Sequence, residues 1–287
     1  MNELFIPIFI VIIASIFQGT FGLGMKYVKP MAWEAWWLIH ATIAMVIFPL
    51  IWANLVVPNL GTVLSNAPIN ELLLGGVLGF IWGIGGMMFG VSVGYIGMSL
   101  TYGIVMGLCS ISGALIPFFL RFDAINPSSI PFIISGLIIL AVAVYVVTVA
   151  GLKRDKCLIE RNKIKGIQTD QVNEIEGIKT GSAFKSGLII ASVCGILSAA
   201  LAIGFDNTVK IGELAIQEGA LERNSALARW VVVLAGAYIM NAGYALILLI
   251  KNKSYNTFSI SGASHAIKWS VIAGLLWFAA LGTYGQG

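Results

Sequence analysis

Apolar residues run along the chain in eight long stretches, approximately 4–24, 36–57, 72–94, 98–119, 130–150, 186–206, 228–249 and 268–285. Each approaches the roughly 20 residues that an α-helix needs to cross a bilayer. In lipid such runs must be helical, because an open sheet edge would leave backbone N–H and C=O groups without partners. The third and fourth stretches nearly touch, and Gly94-Tyr95-Ile96-Gly97 between them is expected as a tight turn. The one hydrophilic segment of any length is 151–185, which mixes both charge signs and includes Gly166, Gly177 and Gly181. It is expected as a connector. The pattern predicts an all-α polytopic membrane protein with eight transmembrane helices. The first run starts at Leu4 with no basic residues before it, so it is expected to stay as a helix rather than be cleaved as a signal peptide.

Cutting the chain at the connector leaves five spans in 1–150 and three in 186–287. The halves echo each other. Ile12-Ile13-Ala14-Ser15 in the first span returns as Ile189-Ile190-Ala191-Ser192 in the sixth. Gly79, Trp82 and Gly90 in the third span are spaced like Gly274, Trp277 and Gly285 in the eighth. An odd number of spans per repeat makes the two repeats enter the membrane from opposite sides, the inverted architecture of many secondary transporters. The expectation is a 5+5 inverted repeat of which this chain carries the first repeat and three helices of the second, so that the last two are absent.

Composition and charge add a topology. Hydrophobic types make up 58% of the 287 residues, and charged types 10%. A soluble domain carries about 25% charged residues, so lipid must be the solvent for much of this surface. Thirteen of the 17 basic residues fall in the loops after the first, fifth and seventh spans, eight of them in 151–185. Arg121, Lys210, Arg223 and Arg229 fall on the other side. Basic loops stay in the cytoplasm. The amino terminus is therefore expected outside and the connector inside. Positive charge concentrated this way reads as topology, not nucleic-acid affinity.

Within the spans, small and polar residues carry what chemistry there is. Gly79, Gly83, Gly86 and Gly90 form a strip along the third span, of the kind that lets membrane helices approach backbone to backbone. Trp82 and Met87-Met88-Phe89 can line a path beside that strip, and the fourth span adds the hydroxyls of Ser99, Thr101 and Tyr102. Ionisable groups in membrane helices are expensive and mark function. Glu34 is one, set among Trp33, Trp36 and Trp37 at the start of the second span, with Gln18 and His40 as further candidates. Glu34 suits a proton or substrate site. It also suits a helix N-terminus, where the dipole favours a carboxylate, with Lys26 or Lys29 as partners. Cys109, Cys157 and Cys194 show no metal-ligand spacing, and no enzymatic motif stands out, so no enzyme, cofactor or metal is expected. Asn252-Lys253-Ser254 fits the glycosylation pattern by letters, but it falls in a cytoplasmic loop and reads as chance.

Three stretches together resemble a known family: Val28-Lys29 with Trp33-Glu34 and Trp37; Trp82-Gly83-Ile84-Gly85 with Gly90 and Tyr95-x-Gly97-Met98-Ser99; and Gly274-Leu275-Leu276-Trp277. The chain resembles the L-rhamnose–proton symporter family of the drug/metabolite transporter superfamily over nearly its whole length. The resemblance implies a ten-helix inner-membrane permease bringing in L-rhamnose with a proton by alternating access. The implied partners are a small sugar, a proton and the lipid bilayer. Lys29, Trp33, Glu34, Trp82, Gly85, Gly90, Tyr95 and Ser99 are the matching positions. The family pattern has an Asn-x-x-Tyr-Gly group where this chain has Gly86, Phe89 and Gly90, and a basic residue where it has Gly94. Two alternatives stand beside this reading: a carrier of the same superfamily for another metabolite, and a membrane protein that moves nothing, including a truncated inactive permease.

Overall fold

A computed structural model describes residues 2–120, 126–164 and 182–286. The described residues are overwhelmingly helical. Seven helical stretches among them are long and apolar enough to cross a membrane: Phe5–Tyr27, Trp33–Val56, Ile69–Ile96, Pro127–Ala150, Ser182–Gln217, Glu222–Lys251 and Ala263–Tyr284. The expected fourth span is occupied by a helix over Met98–Leu120 whose shorter apolar stretch is Leu100–Ile116.

Two boundaries differ from expectation. The Gly94–Gly97 turn contracts to one residue: the third span is helical through Ile96, the next helix starts at Met98, and Gly97 alone turns the chain at φ 79°. Only glycine takes that left-handed geometry without a Cβ penalty. The connector is also shorter than 151–185. The fifth span continues as helix past its apolar end to Ile164, and the next helix begins at Ser182. Charged side chains do not stop a helix, so hydropathy marks where the bilayer core ends rather than where the helix does. The remainder of that connector, 165–181, lies outside the described residues.

The chain divides into two compact units. The first comprises Met1–Gly83 and Gly204–Gly287, the second Ile84–Ile203. In the first unit α1 (Asn2–Thr20) packs along α12 (Ala263–Tyr284). The second span is built from α2 (Trp33–Thr42), a π-helical turn (Ile43–Ile47) and α3 (Phe48–Val56), and it packs on both α11 (Glu222–Lys251) and α12. Short α4 (Leu60–Asn66) leads into α5 (Ile69–Ile96). After Gly204 the unit holds the end of α9 (Ala200–Asp206), then α10 (Val209–Gln217). Its core gathers Met31, Ala35, Trp36, Leu249, Ala266 and Ala273. Small residues set the helix spacing here: a methyl on Gly79 would overlap the Val233 carbonyl, and one on Gly236 the Gly76 carbonyl. Backbone thus lies on backbone where α5 crosses α11.

In the second unit the end of α5, α6 (Met98–Leu120), α7 (Ile130–Ile164) and α8 (Ser182–Ser198) surround Ile96, Leu100, Val105, Ala191 and Cys194. Gly107 receives the Val144 side chain, and Gly195 packs against Leu108 and Val105. No residue of the α7 stretch 127–150 is buried, and Phe132, Ile139 and Tyr145 are at least 69% exposed. A soluble protein rarely exposes such a face, whereas lipid is its natural solvent.

Candidate functional site

The buried polar chemistry of the first unit gathers on α2 and the helices around it. Ala32 is extended and its N–H donates to Thr257 Oγ1 at 2.8 Å, which fixes where α2 starts. Glu34 follows in the first turn, where the helix dipole favours a carboxylate. It is buried, and its Oε1 accepts from Asn252 Nδ2 at 3.0 Å and from Ser254 Oγ. Neutral donors therefore hold Glu34, in place of the expected lysines. The Asn252-Lys253-Ser254 triplet has its role here: its first and third residues tie the α11–α12 connection to the start of α2.

One turn further, the aromatic residues of α2 build a stack. Trp33 lies on Trp37 with ring centroids 5.3 Å apart. His40 sits between Trp36 at 5.5 Å and Trp37 at 5.1 Å, with Phe21 at 6.1 Å. Glu34 and His40 are six residues apart, or about 240° round the helix, so the stack does not bring them together. Trp36 is fully buried, and its carbonyl accepts from Ser270 Oγ at 2.7 Å.

From the stack the polar line runs to α11. Trp37 Nε1 donates to Asn241 Oδ1 at 3.0 Å, and the Asn241 amide donates to the Ala237 carbonyl at 2.9 Å. Thr42 and Tyr238 hydroxyls lie 3.4 Å apart. Asn241 is fully buried and also borders Gly83. Trp82 meets Trp277 at 5.5 Å between ring centroids. An amide with further hydrogen-bonding capacity, two hydroxyls and broad indole faces can bind a polyol: hydroxyls bond the amide and C–H faces lie on the rings.

The other candidates fall elsewhere. Gln18 is exposed on α1. Tyr95 and Tyr102 belong to the second unit, where Tyr102 meets Phe89 edge to face at 4.9 Å and Tyr95 packs on Gly187. The Ser99 side chain lies outside the described residues, though its backbone is in the first turn of α6. Gly79 and Gly83 take close contacts from α11, while Gly86 and Gly90 belong to the second unit's part of α5.

Sequence reading missed Asn241, Glu71 and Arg229. Glu71 is buried and its Oε2 accepts from the N–H groups of Lys210 at 3.0 Å and Ile211 at 3.4 Å, supplying the N-terminus of α10 with a carboxylate. Arg229 donates to the Phe205 carbonyl at 2.7 Å and lies 3.7 Å over the Phe205 ring. Arg229 and Glu71 stand near predicted span ends, where a charge looks like a boundary marker. Asn241 was detectable as a lone amide deep within an apolar run. Among the described residues no cluster of acidic, histidine or cysteine side chains could hold a metal.

The family model for the L-rhamnose-proton symport protein (RhaT) matches residues 1–287. An L-rhamnose-proton symporter of Escherichia coli O1:K1 / APEC is 28% identical over 294 residues, covering 100% of this chain and 80% of that protein. The L-rhamnose-proton symporter of Escherichia coli strain 55989 / EAEC is 27% identical with the same coverage. No solved structure matches the chain.

Proposed function

The chain belongs to the L-rhamnose-proton symport protein family, and from that membership we propose that it takes up L-rhamnose or a related deoxysugar together with a proton, by alternating access in the bacterial inner membrane. The observation that carries this reading is the family match across residues 1–287. The buried Trp37–Asn241 pair and the Trp82–Trp277 pair of the same unit support it, because they are groups that offer a sugar polar and aromatic contacts. The proposed fold has eight spans as the first part of a 5+5 inverted repeat, with repeats over 1–150 and 186–287. The meeting of Trp82 with Trp277 supports that arrangement, since these are the tryptophans that the repeat pattern sets in equivalent places. The proposed orientation puts the amino terminus outside, on the strength of the basic loops. Glu34 would then lie at the cytoplasmic end of its span.

Gly86 and Phe89, standing where the family pattern has an amide and a phenol, favour a deoxysugar with fewer polar contacts as the second reading. A site built to bond hydroxyls discriminates strongly against solutes lacking them, and loses that discrimination with the bonding groups. The test is uptake of labelled L-rhamnose into vesicles holding the purified chain, with and without an imposed proton gradient. Saturable accumulation that collapses with the gradient is the expected result. Gradient-driven accumulation of another deoxysugar, with none of L-rhamnose, establishes the second reading. Absence of flux for every deoxysugar tried defeats both.

A further inference from the structure

Resting on the proton-coupled reading above, we propose that His40 Nδ1, rather than the Glu34 carboxylate, takes the coupled proton. His40 lies about 10 Å along its helix from Trp33, at 1.5 Å per residue. It is 1% exposed, and Nδ1 has no hydrogen-bond partner among the described residues. In the neutral ring with its proton on Nε2, Nδ1 is a bare acceptor. Buried acceptors are nearly always satisfied, and one that is not needs an explanation. A proton arriving at Nδ1 supplies one.

Burial works against the charged form that results, and the rings around it offset part of that cost. Phe21, Trp36 and Trp37 present rings to the imidazole at 6.1, 5.5 and 5.1 Å. Aromatic faces attract a cation most strongly where water is excluded. The packed elements also carry Lys26, Tyr244, Lys251, Tyr255, Lys268 and Tyr284, and three further ionisable groups have partners of their own. Glu34 is bonded to Asn252 and Ser254, Tyr238 of α11 lies by Thr42, and His265 of α12 packs on Tyr27. In the step itself, hydronium from the side to which the carrier is open gives up a proton. The Nδ1 lone pair forms the new N–H bond, and water is left behind. Release on the other side reverses it. Trp37 touches this ring and also donates to Asn241, so the charge on His40 reaches the amide proposed to meet the sugar.

Glu34 is less suited to the task. Both of its donors converge on Oε1 and tie a loop to the helix start, so protonation there would loosen a structural join.

The experiment uses the full chain in liposomes with labelled L-rhamnose, and reads accumulation under a proton gradient, exchange without one, and tryptophan emission against pH. An imidazolium quenches an indole that it touches. Wild-type emission is therefore expected to fall on acidification as the imidazole takes its proton. H40Q should keep exchange, lose accumulation and lose that fall in emission. H265Q, which removes the histidine beside Trp269, should leave the fall in place. Accumulation by H40Q at the wild-type level overturns the proposal. Should H40Q fail to fold, an emission fall abolished by H265Q, or no fall in the wild type, overturns it as well. If the wild type moves no labelled sugar, the transport reading fails, and the emission titration alone decides whether His40 takes a proton.

Discussion

Among the described residues the buried polar ones of the first unit include Glu34, His40, Glu71, Asn241 and Ser270, and those of the second are Ser92 and Thr101. The contrast extends to hydrogen bonding. In the second unit Ser92 bonds Thr101 and the Cys194 thiol bonds the Gly85 carbonyl between helices, but Ser110, Ser192 and Ser198 each return their hydroxyl to the carbonyl four residues back. Such bonds satisfy the group inside its own helix and bring nothing to a neighbour. In the first unit, Trp37 reaches Asn241 and Ser270 reaches Trp36 across helices. Polar groups in lipid are costly, so a chain keeps inter-helix networks where they have work to do. We extend the proposed function accordingly, with solute and proton chemistry in the first unit and packing in the second.

The largest effect should come from the helix crossings, where the units differ in what a new methyl meets. In the first unit Gly79 faces the Val233 carbonyl, and in the second Gly107 faces the Val144 side chain. Backbone can yield only by moving all of α11, whereas turning Val144 moves its two methyls and leaves only its Cβ, 2.9 Å from the new methyl, for α7 to clear. Gly79→Ala should cost more than about 3 kcal/mol, the upper end for overpacking, and Gly107→Ala about 1–2 kcal/mol. Thermal unfolding in detergent compares them. Equal losses would mean that the two crossings are equally rigid.

Asn241→Ala comes next. It leaves the Trp37 indole N–H without its acceptor, at a cost of about 1–3 kcal/mol. Uptake of labelled sugar should fall at least about tenfold, the equivalent of one lost buried bond. Unaltered uptake would remove Asn241 from the solute path and weaken the assignment to the first unit.

These residues also show what could be read from the chain alone. Eight helical positions followed from hydropathy, since a bilayer imposes length and polarity on any segment crossing it. The family followed from short motifs such as Trp33-Glu34 and Trp82-Gly83. The polar line from His40 to Asn241 was not legible, because it joins positions 200 residues apart whose meeting depends on how α2 lies on α11. Glu34 stood out as a carboxylate in an apolar setting, but its donors come from the α11–α12 connection, whose fold no local pattern gives. Asn252 and Ser254 looked like a chance triplet for the same reason. The apolar span 130–150 was legible, but the helix runs on to Ile164, because hydropathy reports the solvent around a helix rather than its hydrogen bonds.

A smaller effect separates the two ionisable groups of α2. In Glu34→Gln the amide oxygen can still accept from Asn252 and Ser254. What is lost is the charge assistance of those bonds and the attraction to the helix N-terminus, together about 1 kcal/mol. Stability should drop by that amount while gradient-driven accumulation persists. Loss of accumulation with exchange intact would shift the proton from His40 to Glu34.

The smallest effect tests the second unit's quiet role. Ser92 Oγ donates to Thr101 Oγ1 at 3.1 Å, and both residues are fully buried. Ser92→Ala removes one hydroxyl and frees the other. The carbonyl four residues back from Thr101 is that of Gly97, just before α6, and beside the bond it accepts from the Thr101 N–H it has a second lone pair for the hydroxyl. The orphaned group thus finds a local partner, and the loss should stay below about 1 kcal/mol, the net value of one ordinary hydrogen bond. Labelled-sugar uptake should match the wild type at every proton gradient tried. An uptake defect as deep as that of Asn241→Ala, with thermal stability preserved, would show that Ser92 and Thr101 belong to the transport path rather than to packing. The inter-helix polar network would then no longer tell a working unit from a supporting one.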